Sequence, residues 1–307
     1  MAALWKALKS FGKAIRHVIE FSLARILLFF FDHLPFSLTR SMARGAANLW
    51  WWVDTRRQKV AVGNILRSGI ESDQKAARAI AKKSIQTFSI LVLESLKSST
   101  ILEDDSWKEH ITLNIQPDVL EVLNDPDKGL ILAAGHFGNW EIAAHLISQF
   151  KPVAGITRPM NNPLMENLIK SRKGRYRFRP IPKRESNPSR LIEVLDNKEI
   201  LALLFDQHAG KQGVMVDFFG HPASTHKTIA MMHLVTKTPL CYAHCLRTGP
   251  MQFELRTSNL IQREKTGNKK EDVLSILNQL NEELEKSIRI APEQYLWAHR
   301  RWRDEGA

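Results

Sequence analysis

The residues best suited to chemistry lie in one turn. His136 is followed five positions later by Glu141, within Gly135-His136-Phe137-Gly138-Asn139-Trp140-Glu141. An imidazole titrates near neutrality, so it can take a proton from an attacking hydroxyl when a carboxylate fixes its tautomer through the other ring nitrogen. Acyl-transfer sites use this division between base and orienting acid. The competing reading of a pair at this spacing is a loop histidine and a solvated first-turn acid.

The flanking elements decide whether the pair can work together. Leu130-Ile131-Leu132-Ala133-Ala134 is a short apolar run between Gly129 and Gly135, which predicts a buried strand. Residues 139–146 predict the helix after it, with Asn139 as N-cap and Glu141 in the first turn, where the helix dipole favours its ionised form. His136 then stands at the carboxyl end of a strand, the edge at which open α/β sheets bind ligands. Two further predicted strands end in polar residues: 153–157 leads to Arg158, and 200–205 leads to Asp206 and Gln207. Arg158 suits a phosphate or an oxyanion, against the alternative of a surface arginine before a proline turn. Asp206 is expected either to pair with Arg158 or to orient an acceptor.

Other strands are read at 110–115, 179–181 and 240–246, with 251–257 as an antiparallel edge and 270–289 as a charged amphipathic helix. The alternation predicts an α/β fold with a mainly parallel, twisted sheet flanked by helices.

Four ordered blocks carry a resemblance to a known family. The first is His136-Phe137-Gly138-Asn139-Trp140-Glu141, and the second Ile156-Thr157-Arg158-Pro159-Met160-Asn161-Asn162-Pro163. The third is Leu203-Leu204-Phe205-Asp206-Gln207 with Val216-Asp217-Phe218-Phe219-Gly220 and Ala223-Ser224-Thr225. The last runs Ala291-Pro292-Glu293-Gln294-Tyr295-Leu296-Trp297-Ala298-His299-Arg300-Arg301-Trp302. In order and spacing, over roughly residues 1–303, the chain resembles the lipid A biosynthesis acyltransferases. These are the late lauroyl and myristoyl acyltransferases of Gram-negative bacteria, within the H-x4-D/E glycerolipid acyltransferase class.

The resemblance implies a glycerolipid-acyltransferase-like fold and a membrane-associated enzyme at the cytoplasmic face of the inner membrane. Its donor would be an acyl carrier protein thioester, or acyl-CoA, and its acceptor a hydroxyl of a lipid A precursor or related glycolipid. No cofactor is implied. Neither a G-x-S-x-G elbow nor an activated cysteine is present, so direct attack is the expected mechanism. His136 would deprotonate the acceptor while Glu141 holds the imidazole. Backbone N–H groups around Phe137–Asn139, together with Arg158, Asp206 and Gln207, would serve the oxyanion or the substrate. A lysophospholipid or other glycolipid acceptor is the alternative within this class. A non-catalytic lipid- or carrier-binding protein is the alternative outside it.

Composition fits such a protein. Forty-four basic against 32 acidic residues give a formal charge of +12, pointing to anionic partners. Cys241 and Cys245 are the two cysteines; four apart on one predicted strand, they lie too far apart to bridge and read as small buried hydrophobes. Trp5, Leu8, Phe11, Ile15, Val18 and Ile19 recur at helical spacing beside Lys6, Lys9, Lys13 and Arg16, the pattern of a basic amphipathic helix. The apolar run at 21–31 is interrupted by Arg25 and is too short for a clean span, so a helix lying in the membrane face is preferred to a single amino-terminal span. Trp50-Trp51-Trp52 reads either as interfacial or as interhelical, and 71–99 as another helix.

Three segments result: a membrane-associating stretch 1–35, a helical region 36–105 packing on the core, and the α/β core 106–307. The densest basic stretch includes Lys170, Arg172, Lys173 and Arg175, expected to meet the carrier protein or phosphate, with a solvated face as the alternative. Nucleic acid fits poorly, since no nucleic-acid-binding motif accompanies the charge. His136, His208, His221, His226 and His299 match no zinc spacing, so no metal is expected.

Overall fold

The protein is described here by a computed structural model covering residues 1–97, 107–172, 177–261 and 266–303. Its strands are β1 (Ile111–Asn114), β2 (Leu130–Ala134), β3 (Val153–Thr157), β4 (Phe178–Pro182), β5 (Ile200–Leu204), β6 (Val214–Phe218), β7 (His221–Thr225), β8 (Leu240–Gly249) and β9 (Gln252–Thr257). Seven of them form one sheet in the order β1-β9-β8-β2-β5-β3-β4. The five strands from β8 to β4 are parallel, β9 runs antiparallel to β8, and β1 is parallel to β9.

Strand periodicity assigns the faces. Ile131, Ala133, Leu201 and Leu203 enter one apolar layer, while Leu130, Leu132, Ile200 and Cys241 enter the other. Being buried on both sides, β2 and β5 read as unbroken apolar runs, which is why they were legible from sequence. Pro180 and Pro182 cannot donate to a ladder, and β4 accordingly sits at the sheet edge.

Helices cover both faces. The first to appear along the chain are α1 (Ala2–His33), α2 (Phe36–Val53), α3 (Thr55–Arg67) and α4 (Gln74–Leu96). In the core, α5 (Pro117–Asn124) and α6 (Trp140–Ile147) pack on one face of the sheet. The other is covered by α8 (Pro188–Asp196), α9 (Thr228–Thr236) and α10 (Lys269–Ile290), with α7 (Pro163–Arg172) following β3. Residues from α2, α3 and α4, including Trp51, Ile65 and Ile85, join this second layer.

The helical region is tied to the sheet by charge as well as by apolar packing. Glu94 of α4 is fully buried and accepts two bonds from Arg247 Nε of β8, at 3.0 and 2.9 Å, and one from the Met251 N–H at 3.1 Å. Burial pushes its carboxyl above the usual range, while Arg247 pulls it back down. Helix α4 begins at Gln74 because Asp73 caps it, three residues later than the pattern predicts.

Two expectations need correction. The 251–257 strand is antiparallel as expected but is not an edge, because β1 pairs outside it. The β6–β7 hairpin, which forms its own two-stranded sheet, was not read as strands; its Phe218-Phe219-Gly220-His221 turn carries a positive φ at Phe219 and at Gly220.

The tryptophans separate. Trp51 is buried beneath the Arg78 guanidinium, 5.3 Å from the ring centroid, whereas Trp52 is exposed. Cys241 and Cys245 are free and fully buried, as expected. Burial pushes the Cys241 thiol up to about 12, which leaves it unreactive. Among the described residues no helix is long and apolar enough to cross a membrane.

Candidate active site

Sheet register brings the site together. Strands β2 and β5 are parallel neighbours with Ala134 opposite Leu204, so the residues two beyond each strand end, His136 and Asp206, fall side by side. His136 Nδ1 lies 2.7 Å from Asp206 Oδ1, and the His136 backbone N–H donates to Asp206 Oδ2 at 2.9 Å. One carboxylate thus fixes both the ring and the turn that carries it.

Glu141 is the carboxylate expected to hold one imidazole nitrogen; the carboxylate found at Nδ1 is Asp206. Helix α6 places Glu141 in its first turn, where it lines an apolar cavity.

The other ring nitrogen faces Gln207. Its amide Nε2 is 3.3 Å from His136 Nε2, consistent with Nδ1 carrying the proton toward Asp206 and Nε2 presenting a lone pair. The side chains of His136 and Asp206 are only 15% and 3% exposed. Burial disfavours charge on both, but each stabilises the other. The Asp206 carboxylate holds the imidazole pKa above its ordinary value, and the imidazole and nearby Arg301 hold the carboxyl below its own.

Two of the three backbone N–H groups at 137–139 that the sequence suggested as donors are committed within the fold. The Gly138 N–H donates to Gln294 O at 3.0 Å and the Asn139 N–H to Cys245 O at 2.8 Å. An N–H already paired within the fold does not point at substrate, so Gly138 and Asn139 act as structural residues of the turn. Gly138 adopts a φ of +60° with the Cys245 carbonyl packed against its α-carbon, leaving no room for a Cβ. The Asn139 side chain caps α6 by accepting from the Ile142 N–H at 3.1 Å, and also accepts from Ser95 Oγ at 2.9 Å. Helix α4 is locked to the His136 turn through that bond.

A cavity of about 190 Å³ opens beside the turn, bounded by Leu91, Val92 and Leu96 of α4, Trp140 and Glu141 of α6, and Ile169 of α7. Trp140 joins it to the His136–Asp206 pair, its ring standing edge-on to His136 at 5.1 Å and stacked on Phe88 at 5.9 Å.

Arg158 follows β3 at the same sheet edge and is exposed; the arginine acting electrostatically on Asp206 is Arg301. Arg301 is buried, donates to Ser224 O at 2.8 Å and Thr225 Oγ1 at 2.7 Å, and stacks over Phe218 at 5.1 Å. Sequence reasoning gave Arg301 no specific role. Its signal was the charge inside the aromatic Trp297 to Trp302 block, which folds back onto the Ala223-Ser224-Thr225 strand.

Asn162 caps α7 through the Leu164 N–H and holds α1 through His17 O at 3.0 Å and Glu20 Oε2 at 2.9 Å. Lys170 is paired with Glu166 on the α7 surface at 2.7 Å. Lys173, Arg175 and the side chain of Arg172 lie outside the described residues.

This arrangement, an imidazole and carboxylate at a sheet edge beside an apolar slot, suits deprotonation of a hydroxyl next to a bound hydrocarbon chain. The bacterial lipid A biosynthesis acyltransferase family model matches residues 8–304, and the chain belongs to that family. The relatives are distant. The lipid A biosynthesis palmitoleoyltransferase of Escherichia coli K12 is 26% identical over 180 residues, 58% of this chain and 56% of that protein. The lauroyltransferase of the same organism is 22% identical over 276 residues, 88% of this chain and 87% of that one. A phosphatidylinositol mannoside acyltransferase of Mycobacterium tuberculosis is 29% identical over 127 residues, 39% of this chain and 40% of the relative. The chain thus spans little more than half the length of the first of these relatives. The 1-acyl-sn-glycerophosphate acyltransferase PlsC of Thermotoga maritima shares 14% identity at a TM-score of 0.35, over 80% of this chain and 99% of that structure.

Proposed function

We propose that the protein transfers a fatty acyl chain from an acyl carrier protein thioester to a hydroxyl of a lipid A precursor at a membrane surface. The observation that carries this reading is the 2.7 Å contact between His136 and the buried Asp206, one ring away from the apolar cavity. Family membership supplies the substrate class.

In the proposed reaction the acceptor hydroxyl displaces Gln207 from His136 Nε2 and gives that nitrogen its proton as its oxygen attacks the thioester carbonyl. The new C–O bond forms a tetrahedral oxyanion. Collapse breaks the C–S bond, and the leaving thiolate takes the proton back from the imidazolium. Asp206 holds the ring and stabilises its charged form. The released Gln207 amide and Arg158 are the side-chain donors proposed for the oxyanion or for a substrate phosphate. The acyl chain would occupy the slot between α4, α6 and α7, with Glu141 at its wall.

Helix α1 supports the membrane assignment: Trp5, Leu8, Phe11, Ile15, Leu23 and Ile26 are all exposed, alongside basic residues of the same helix. The basic residues around Lys170 are the proposed carrier contact.

The test incubates the full chain, in mixed micelles, with acyl carrier protein thioester and lipid A precursor, and follows the lipid by mass spectrometry. One added acyl ester is expected, together with its loss in His136→Ala at unchanged thermal stability. Absence of transfer by the unaltered protein, or sustained transfer by His136→Ala, contradicts the proposal.

A further inference from the structure

A second, polar cavity of about 460 Å³ lies between the start of α3 and the carboxyl-terminal segment. Four arginines line it, Arg56 and Arg57 from α3 and Arg300 and Arg303 from the segment after Trp297, all exposed to solvent. Among the described residues that line it the one carboxylate is Asp54, which is already engaged as the cap of α3: it accepts from the Arg57 N–H at 3.0 Å and pairs with Arg57 Nε at 3.5 Å. Arg56, Arg300 and Arg303 form no ion pair among the described residues.

The elements that hold these arginines are rigidly joined. Asn64 of α3 donates to Trp297 O at 2.8 Å and to His299 O at 2.7 Å, stitching α3 to the carboxyl-terminal segment across more than two hundred residues of sequence. The arginines therefore converge on a built wall. A cluster of like charge is costly to assemble unless something of opposite charge binds there.

One hydrogen bond links the cavity wall to the segment that carries Gln207. His299 lines it and accepts from the His208 N–H through Nε2 at 3.1 Å, and His208 directly follows Gln207, which meets His136. Burial pushes the His299 pKa down to about 4, so this lining imidazole is neutral at physiological pH.

We propose that the four-arginine cavity is a binding site for a phosphate monoester. The planar guanidinium fork matches phosphate oxygens bidentately, and several cations without an ion pair among the described residues favour a dianionic group over a carboxylate or a diester. The phosphate belongs either to the acceptor glycolipid, held so that its hydroxyl reaches His136, or to a phospholipid headgroup of the supporting membrane. The first source rests on the reaction proposed above; phosphate binding itself does not.

Inorganic phosphate is the direct probe. Titrated into the full chain by calorimetry at constant ionic strength, it should bind, and Arg56→Gln/Arg300→Gln should weaken that binding at least tenfold, with Arg56→Lys/Arg300→Lys falling between. No binding to the unaltered protein, or equal binding to the Gln variant, overturns the site. Should the Gln variant melt early, the Lys variant carries the comparison, and Lys equal to wild type then overturns it.

Two further arms separate the sources. If the acceptor supplies the phosphate, the KM advantage of a phosphorylated over a dephosphorylated glycolipid acceptor collapses in the Gln variant. If the membrane supplies it, the variant loses its preference for phosphatidic acid over phosphatidylcholine vesicles instead. Either result supports the site, and a variant that keeps both preferences contradicts it. Failure of acyl transfer with phosphate binding intact would reject the proposed reaction and leave the site standing.

Discussion

At the sheet edge, His136 and Asp206 are nearly withdrawn from solvent and bonded to each other; along α1, Trp5, Phe11 and Leu23 are 62%, 67% and 57% exposed. The first region sequesters polar groups, where a low dielectric makes each pairing strong and an unmade one costly. The second displays apolar groups that folding alone would bury. A patch of that kind marks an interaction surface, and the basic residues interleaved with it suit an anionic lipid surface. The contrast teaches that the buried pairing lies in the sheet and the helices clamped to it, while α1 is held chiefly at Asn162 and the side of α7; on the function proposed above, the first carries the chemistry and the second the location.

That division can be broken from the sheet side first. Glu94→Ala strands Arg247 and the Met251 N–H, and should cost about 3–5 kcal/mol in denaturant unfolding, enough to threaten the fold. A loss under about 1 kcal/mol would show that the clamp between α4 and β8 is dispensable. Gly138→Ala puts a Cβ into the Cys245 carbonyl at a positive φ, and a loss of about 2–4 kcal/mol is expected, read as a lowered Tm. An unchanged Tm would mean that the catalytic turn is pliable.

The helix side should respond in location rather than stability. Phe11→Ser with Leu23→Ser removes about 3 kcal/mol of apolar transfer free energy and should lower partitioning onto anionic vesicles more than tenfold, with Tm unaltered. A fallen Tm would place α1 in the core. The smallest effect is expected at Lys170, an exposed partner of Glu166: Lys170→Ala should shift stability by less than about 0.5 kcal/mol.

Legibility followed the range of the forces. Strands β2 and β5 were readable because burial on both faces writes unbroken apolar runs, and the Asn139 cap because it acts within three residues. Asp206 was legible at the right edge, with Arg158 or the acceptor as its alternatives, but its bond to His136 was not, since that bond spans seventy residues and depends on the β2–β5 register. Glu141 looked like the orienting acid because proximity in sequence is all that a local motif displays. The Gly138 and Asn139 N–H groups looked available for the same reason; their acceptors, Gln294 and Cys245, arrive from distant elements. Strand β1 at the true edge and the β6–β7 hairpin depend likewise on long-range pairing.

The central claim, that Asp206 rather than Glu141 sets the protonation of the base, is tested most directly by the acid limb of kcat/KM. A general base must be neutral, so activity falls as pH drops through the His136 pKa, which Asp206 holds above the ordinary histidine value. In Asp206→Asn only burial remains to act on the ring, and burial disfavours the charged form. The account predicts that this limb moves to lower pH, with a reduced plateau, and moves far less in Glu141→Gln. A limb that stays in place in Asp206→Asn but shifts in Glu141→Gln would contradict it.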